Sequence, residues 1–259
     1  QEYGGRGGPI GHGLTMLEET SYHSLPLSLI VGINGGLFLQ PVVKYGTEEA
    51  KQRVLPSYVR DRKLAGLMIT EPDYGSEALS METGWRATDH DTVKIEGTKH
   101  WAGLTGWADY WLLTARPRTK DGGLRRDVDF FIADQNQPGE HVDVEELYPN
   151  LGLKMLPYGL NRVDVEVPTS SRLEPTSTGV KMMLDTLHRS RLQIPGMGMG
   201  YLRRILDDAL VHARERFVGG KALLDYDQVK ARLARLQSFV TGTAAMCMET
   251  AGTAGIDRD

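Results

Sequence analysis

The spacing of apolar residues divides the chain into a helical stretch, a β-rich stretch and a second helical stretch. Apolar residues recur at helical spacing over 14–19 and 25–39. A further helix should begin after Thr47, which can serve as its N-cap, and Pro56 stands near its end. Beyond Leu64 apolar and polar residues alternate, as they do in strands with one buried face.

The alternating stretch predicts a small antiparallel β-barrel. Turns rich in Gly, Pro and Asp interrupt its strands, and Lys120-Asp-Gly-Gly123 is typical of a hairpin connection. Val128, Phe130 and Ile132 alternate with polar neighbours, which favours a sheet with one packed face. The predicted strands are residues 91–96, 109–116, 128–134, 141–147 and 161–167.

From Gly179 onward the helical period returns. Apolar stripes over 202–217 and 229–244 predict two helices that pair antiparallel, joined by the glycine-containing turn 217–221. Gly196-Met-Gly-Met-Gly200 follows no strand and so does not fit a dinucleotide-binding fingerprint, and we interpret its glycines as close helix contacts. The methionines of this region are expected in the core or in the wall of an apolar pocket: Met182, Met183, Met197 and Met199.

Composition and charge exclude several functions. A net charge of −4 and a pI near 6.0 give no reason to expect nucleic acid as a partner. No apolar run reaches about 18 residues, so no membrane span is expected. The single cysteine, Cys247, is expected to be buried in a helix and favours a reducing compartment, either the cytoplasm or a mitochondrial matrix. The seven histidines are scattered, so no metal site is predicted.

Two glycine-containing loops of the β-rich stretch carry the candidate chemistry. The first, Leu67-Met-Ile-Thr-Glu-Pro-Asp-Tyr-Gly-Ser-Glu77, should end a strand at its proline, which cannot donate to a ladder. It offers backbone amides and the hydroxyls of Thr70 and Ser76. The second, Gly97-Thr-Lys-His-Trp-Ala-Gly-Leu-Thr-Gly106, delivers Trp101 into a glycine-rich bend. These groups suit a planar cofactor. In the alternative interpretation, Trp101 is core and the glycines only turn the chain.

The order Ile-Thr-Glu-Pro-x-x-Gly-Ser, followed by Gly-x-Lys-x-Trp, resembles the acyl-CoA dehydrogenase family of flavoproteins. The helix after Thr47 and the segments 151–153 and 163–168 resemble that family too, so the resemblance covers nearly the whole chain. It implies an α+β multi-domain fold and FAD as the cofactor. The implied domains are an N-terminal helical domain at 1–64, a middle antiparallel β-barrel-like domain at 65–173 and a C-terminal helical bundle at 174–259, with the first and last incomplete.

Five residues of the two loops receive roles from the resemblance. Thr70 matches the threonine that contacts the flavin pyrimidine edge, and Ile69 would place a backbone amide beside the ring. Ser76 matches a serine at the boundary between substrate and cofactor; without a flavin, both hydroxyls would only satisfy the turn. Trp101 matches the tryptophan that packs on the isoalloxazine face. Gly103 falls where many members carry a threonine that hydrogen-bonds flavin N5, so this chain lacks that side-chain donor.

Three residues of the C-terminal helices also receive roles. Arg216 and Gln228 match a pattern that reaches the FAD of a neighbouring subunit, and a planar guanidinium suits a pyrophosphate. Gly219 stands where the family usually has phenylalanine. Arg216 could instead be a solvated cation that favours the helix dipole. Arg191 matches an arginine near the active site that binds substrate, and a structural ion pair fits it equally well.

The catalytic base is not identified from the sequence. One branch of the family carries a glutamate at the position of Ser190, and serine cannot act as a carboxylate base. The other branch carries it in a Tyr-Glu-Gly-Thr segment, which would lie beyond residue 259. Asp185 and His188 lie on the same helix as Ser190 but at other positions, and we expect them to be salt-bridged or surface-facing.

The implied reaction is FAD-dependent α,β-dehydrogenation of an acyl thioester, carried on coenzyme A or on an acyl carrier protein. A base removes the α-proton while hydride passes to flavin N5. The implied partners are further copies of the chain, in a homodimer or homotetramer, and an electron-accepting flavoprotein. Two alternatives remain: a flavin oxidase or monooxygenase on the same fold, favoured by Gly103, and a non-catalytic member, favoured by Ser190 and Gly219.

Overall fold

The structure of the protein is a computed structural model that describes residues 2–5, 7–8 and 10–253. The chain forms two compact units. The sheet unit consists of Gln1–Gly7 and Gly32–Ser190, and the helical unit of Gly8–Val31 and Arg191–Asp259. Each unit is therefore assembled from two separate parts of the sequence.

The N-terminal part of the chain is helical, as predicted. Its helices are α1 (Ile10–His23), α2 (Leu25–Gly32), α3 (Gln40–Tyr45) and α4 (Glu48–Arg60), with π-helical turns at Ile33–Leu39. Thr47 caps α4, since its hydroxyl oxygen accepts a hydrogen bond from the Ala50 N–H at 3.1 Å. The sequence does not predict the π-helical turns, because Gly35 and Gly36 leave few side chains there to reveal a longer period.

Residues Leu25–Tyr45 form the one helical segment, within the described parts of the chain, that is long and apolar enough to cross a membrane. A core helix meets the same two criteria, and 44% of this segment is buried. Its residues Phe38 and Val42 have no exposed surface and pack with Val54 and Leu112 in the core of the sheet unit. Length and composition are thus weak evidence for a span here.

The strands of the sheet unit are β1 (Ala65–Met68), β2 (Gly84–Ala87), β3 (Thr92–Gly103), β4 (Tyr110–Pro117), β5 (Asp129–Asp134), β6 (Asp143–Leu147) and β7 (Tyr158–Pro168). Their spatial order is β1-β4-β2-β3-β7-β6, with β5 paired to β4. Most pairs are antiparallel, as predicted, but β4 runs parallel to both β1 and β2. Alternation along a strand reveals its buried face and not its neighbours, so the parallel pairs could not be predicted.

All five predicted strands are present, although their ends and burial differ. Strand β3 continues to Gly103 because a bulge between His100 and Ala102 bends it without ending it. The short strand β2 was not predicted. Strand β5 is buried on both faces, so the prediction of one packed face is wrong for it. Its buried Asp129 accepts hydrogen bonds from Trp85 Nε1 at 2.7 Å and from the Arg172 guanidinium.

The C-terminal part of the chain is helical, as predicted. Its elements are α5 (Gly179–Arg191), α6 (Gln193–Glu215), β8 (Phe217–Val218), β9 (Lys221–Ala222) and α7 (Asp227–Thr253). Helices α1, α6 and α7 pack together in the helical unit, and α6 is joined to α7 through the β8–β9 hairpin. Gly219 and Gly220 both have positive φ, as a two-residue hairpin turn requires. The predicted apolar stripe over 202–217 is partly exposed: Leu206 is buried, whereas Ile205 on α6 and Phe217 on β8 are not.

Two of the three glycines in the Gly-Met-Gly-Met-Gly motif of α6 are close contacts to α1. A Cβ at Gly196 would lie 3.2 Å from Leu14 Cδ2, and a Cβ at Gly200 would overlap the Glu18 carbonyl oxygen. For Gly198 the predicted helix contact is wrong, because nothing lies within 4 Å of its Cβ position.

The four methionines named above and the single cysteine are buried, as predicted. Cys247 packs against Leu14 and Met199 in the helical unit, and burial raises the pKa of its thiol. Cys247 is therefore a packing residue and not a reactive thiol. The four predicted methionines are all buried: Met182, Met183, Met197 and Met199.

We expect the Gly200→Ala variant to lose about 1–3 kcal/mol of unfolding free energy, because the new methyl group must displace the backbone of α1. Gly198→Ala, two residues away on the same helix, should gain up to about 1 kcal/mol, since alanine favours a helix and meets no neighbour. Urea unfolding of both variants measures these changes. Equal effects at the two positions would contradict the assigned α1–α6 contact.

Candidate functional site

The two candidate loops lie side by side in the sheet unit. The His100 N–H, on β3, donates to the Thr70 carbonyl at 2.8 Å. Lys99 Nζ, one residue earlier, donates to the Ile69 carbonyl at 3.1 Å. The Thr-Glu-Pro loop is therefore held against the strand that carries Trp101.

A buried ion pair fixes this junction. Lys99 Nζ lies 2.9 Å from Glu71 Oε1, and the side chains of the two residues are 0% and 4% exposed. Lys99 also donates to Thr114 Oγ1 at 3.1 Å. Glu71 accepts hydrogen bonds from the backbone N–H groups of Glu82 at 2.6 Å and Thr83 at 3.0 Å. Both charges are thus surrounded by partners, as buried charges must be.

Opposing effects act on the protonation of this pair. Burial lowers the pKa of Lys99 to about 8, against the raising effect of the Glu71 carboxylate. Burial alone would raise the pKa of Glu71, but the charge of Lys99 and the hydrogen bonds from Thr83 and Glu82 outweigh it, so the net shift is downward. Glu71 is therefore ionised at neutral pH, and its charge keeps the ammonium of Lys99 favourable.

Thr70 and Ser76 carry hydroxyls that make no hydrogen bond to any described residue. The turn is closed without them, because Glu71 and Tyr74 exchange backbone hydrogen bonds at 3.1 and 3.2 Å. Thr70 is half-buried and Ser76 is exposed. No hydrogen bond therefore supports the alternative interpretation, in which these hydroxyls only stabilise the turn.

Trp101 projects from the sheet and packs on three aromatic rings, which we call the aromatic bed: His100, Tyr148 and Tyr158. It lies at the β3 bulge with φ 56°, a left-handed conformation that is rare for a large side chain. The ring centroids of His100, Tyr148 and Tyr158 lie 5.1, 4.8 and 6.2 Å from its own. Trp101 is 52% exposed, so it is not a core residue.

The bed beneath Trp101 is itself hydrogen-bonded. The Tyr148 hydroxyl lies 2.7 Å from His100 Nδ1. Burial lowers the pKa of His100, which favours the neutral imidazole in this contact. Gly103 lies at the end of β3, opposite Tyr158. A half-exposed indole, an unpartnered threonine hydroxyl and a glycine without a side chain on one strand junction fit a flat, polar-edged cofactor.

Helix α5 carries no free carboxylate at the matched position. The Ser190 hydroxyl donates to the Leu187 carbonyl at 2.9 Å, within the helix. Asp185 accepts a hydrogen bond from the Tyr45 hydroxyl at 2.7 Å and pairs with Arg189 at 3.1 Å. Burial would raise the pKa of Asp185, but these partners lower it overall, so this carboxylate is a structural anion. Asp185 is salt-bridged, as predicted, and His188 is exposed.

Arg216, Gln228 and Arg191 belong to the helical unit. Arg216 ends α6, where its N–H donates to the His212 carbonyl at 3.0 Å, and its carbonyl accepts from the Leu223 N–H at 2.8 Å. Gln228 lies in the first turn of α7. All three side chains are exposed. The structure thus brings Ile69, Thr70, Trp101 and Gly103 together in one unit and places the cationic candidates in the other.

Sequence reasoning missed the residues that support the site. Lys99 and Glu71 belong to the quoted motifs but received no role, and His100, Tyr148 and Tyr158 were not considered. A signal existed for Lys99, because it stands in the same alternating register as Val93 and Ile95, where β3 buries its residues. Among the described residues, no group of three or more His, Cys, Asp or Glu side chains could hold a metal ion.

Comparison with known proteins agrees with this architecture of helices, sheet and helices. Sequence models of the acyl-CoA dehydrogenase N-terminal, middle and C-terminal domains match residues 1–62, 66–164 and 177–257. The chain therefore belongs to the acyl-CoA dehydrogenase family.

Individual relatives match most of this chain. Probable acyl-CoA dehydrogenase FadE10 of Mycobacterium tuberculosis is 28% identical, over 93% of this chain and 36% of its own length. Cyclohexane-1-carbonyl-CoA dehydrogenase of Geobacter metallireducens is 30% identical, over 85% and 56%. The structure of butyryl-CoA dehydrogenase from Megasphaera elsdenii shares the fold at 22% identity, with a TM-score of 0.88 over 98% of this chain and 66% of that one. The chain thus spans only part of the length of these relatives.

We expect Lys99→Met to lose about 3–5 kcal/mol of unfolding free energy, because it leaves the Glu71 carboxylate buried without its partner. Lys94→Met is a matched control on the same strand: it breaks a pair with the half-exposed Asp164 and should cost less than about 1 kcal/mol. Urea unfolding at neutral pH measures both losses. Similar losses in the two variants would show that the buried pair does not hold the junction.

Proposed function

We propose that the complete protein removes the α- and β-hydrogens of an acyl thioester with FAD as the cofactor. The observation that carries the proposal is Trp101, a half-exposed indole in a left-handed conformation, on the strand against which the Thr70 loop is hydrogen-bonded. A protein keeps a strained, exposed aromatic residue where function requires it. The flavin supplies the acceptor for the hydride.

Residues of each unit have a proposed role in binding FAD. The Thr70 hydroxyl donates a hydrogen bond to the flavin pyrimidine edge, and the backbone amide of Ile69 lies beside the ring. Trp101 covers one face of the ring system and excludes water from it. Arg216 and Gln228 bind the pyrophosphate region of the FAD of a neighbouring subunit. Their exposed side chains at the α6–α7 hairpin are free to reach another copy of the chain.

The acyl thioester would bind beside the flavin, with Ser76 at the boundary between them. Arg191 is the second residue for which we propose a role in substrate binding. The family resemblance implies that the base that removes the α-proton would be a glutamate beyond residue 259. Ser190 has no carboxylate, and Asp185 is held in ion pairs. Hydrogen bonds to the thioester carbonyl lower the pKa of the α-proton and make it removable near neutral pH.

The carrier of the acyl group is coenzyme A or an acyl carrier protein. Relatives named for both exist: a cyclohexane-1-carbonyl-CoA dehydrogenase by sequence and the prolyl acyl carrier protein oxidase AnaB by fold. We place the protein in a homodimer or homotetramer in the cytoplasm, with an electron-transferring flavoprotein as acceptor. The proposed domain division remains 1–64, 65–173 and 174–259.

A flavin oxidase on the same fold is the second candidate. Gly103 favours it, because the chain lacks a side-chain donor at the position that contacts flavin N5 in many relatives. An oxidase would reduce oxygen in each turnover, whereas a dehydrogenase passes its electrons to a protein acceptor. A non-catalytic family member would bind FAD and transfer no hydride.

Anaerobic titration of the full-length, FAD-loaded protein with a panel of acyl thioesters tests the proposal. We expect the oxidised flavin band to bleach with one class of acyl-CoA or acyl-carrier-protein thioester. Tight FAD binding without bleaching by any thioester would overturn it, and oxygen consumption with a substrate would then favour the oxidase.

The role of Trp101 is tested with a pair of variants. Trp101→Ala should weaken FAD binding by at least about tenfold, since stacking on the ring is lost. Trp107→Ala removes an equally exposed indole, at 53%, from outside the aromatic bed and should bind FAD as the parent does. Fluorescence titration of the apoprotein gives both affinities. Unchanged binding by Trp101→Ala would contradict the site.

A further inference from the structure

A side chain at position 103 would meet two neighbouring side chains. A Cβ added to Gly103 would lie 2.8 Å from Ile33 Cδ1 and 3.3 Å from Tyr158 Cε1. Its φ is not in the left-handed region, so backbone conformation does not demand glycine here. The space that a side chain at 103 would fill is therefore already occupied by Ile33 and by the ring of Tyr158.

Tyr158 is the residue directly opposite Gly103 in the β3–β7 ladder. Opposite residues of an antiparallel pair project on the same face of a sheet. The ring of Tyr158 therefore lies over the position of the absent side chain. It is also 6.2 Å from the ring of Trp101, so Trp101, Gly103 and Tyr158 line one surface.

The Tyr158 hydroxyl makes no hydrogen bond to any described residue, whereas the hydroxyl of neighbouring Tyr148 bonds His100 at 2.7 Å. Burial raises the pKa of Tyr158, so the phenol keeps its proton at neutral pH and can donate it in a hydrogen bond. The hydroxyl is not among the buried polar atoms that lack a partner, so it can donate to water or to a bound ligand.

We propose that Tyr158 supplies, from the opposite strand, the hydrogen-bond donor that a threonine at position 103 would otherwise direct at the flavin. Its ring occupies the threonine's space, and its hydroxyl donates to the edge of the flavin beside Trp101. The proposal rests on the FAD site proposed above. A donor at the ring edge stabilises the electron-rich reduced flavin, so Tyr158 sets how readily the cofactor accepts hydride.

The variant Tyr158→Phe removes the donor and keeps the ring. In the full-length protein we expect FAD affinity to fall by roughly 3- to 10-fold, the flavin absorbance band to shift and the midpoint potential of the bound flavin to fall. The melting temperature of the apoprotein should not change, because the hydroxyl has no partner within the described protein. Affinity, spectrum and potential equal to those of the parent would overturn the proposal.

Tyr148→Phe is the matched control, since it removes a hydroxyl from the same aromatic bed. This hydroxyl bonds His100, so its loss should lower the melting temperature of the apoprotein and shift the flavin spectrum less than Tyr158→Phe does. A flavin shift of equal size in Tyr148→Phe would show that the effect is not specific to Tyr158 and would overturn the assignment.

A swap of the two side chains tests the packing argument. Gly103→Thr alone should lower the melting temperature, because threonine meets Ile33 and the Tyr158 ring. The double variant Gly103→Thr, Tyr158→Ala opens that space and should recover stability and a flavin potential close to that of the parent. Normal stability of Gly103→Thr alone would contradict the proposal.

The proposed function and this inference fail separately. If the parent protein binds no FAD, the proposed function fails. If the parent binds FAD and is bleached by a thioester, while Tyr158→Phe behaves as the parent does, only the assignment of Tyr158 fails.

Discussion

The buried ion pair between Lys99 and Glu71 is the constraint on which the rest of the sheet unit depends. It joins β3 to the end of β1, to β4 through Thr114, and to the segment before β2 through the backbone of residues 82 and 83. Such a pair adds little net stability, because removing both charges from water costs several kcal/mol. Its effect is positional, because its hydrogen bonds hold four segments of the chain together.

In this arrangement a buried, rigid strand segment supports an exposed aromatic surface. Lys99 is fully buried, and the next two residues along the same strand turn outward into the aromatic bed. The bulge between His100 and Ala102 makes this possible, since it changes the direction of side chains without breaking the β3–β7 ladder. Surfaces that bind ligands are most accurately placed when they lie on such supported elements.

Much of this could be predicted from the sequence, for identifiable reasons. The helix after Thr47 and the alternation of Val93 and Ile95 are local signals, and the structure contains both. The parallel pairing of β4 with β1 and β2 depends on contacts between distant residues, which no local pattern encodes.

The site was predictable only in part for the same reason. Thr70 and Trp101 belong to a motif, and the structure places their loops side by side. The significance of Tyr158 arises from its position opposite Gly103, and that register is fixed by the fold. The predicted contact at Gly198 was wrong because a glycine in a helix looks the same in the sequence whether or not a neighbouring helix approaches it.

The left-handed backbone of Trp101 makes stability and function compete at one residue. Glycine or asparagine would adopt φ 56° at lower cost than tryptophan does. Mutagenesis that selects only for a better-folded or better-expressed chain would therefore tend to replace Trp101. Homologues that have lost their catalytic role should drift in the same direction. The residue type at this position would then indicate whether a homologue still uses its cofactor.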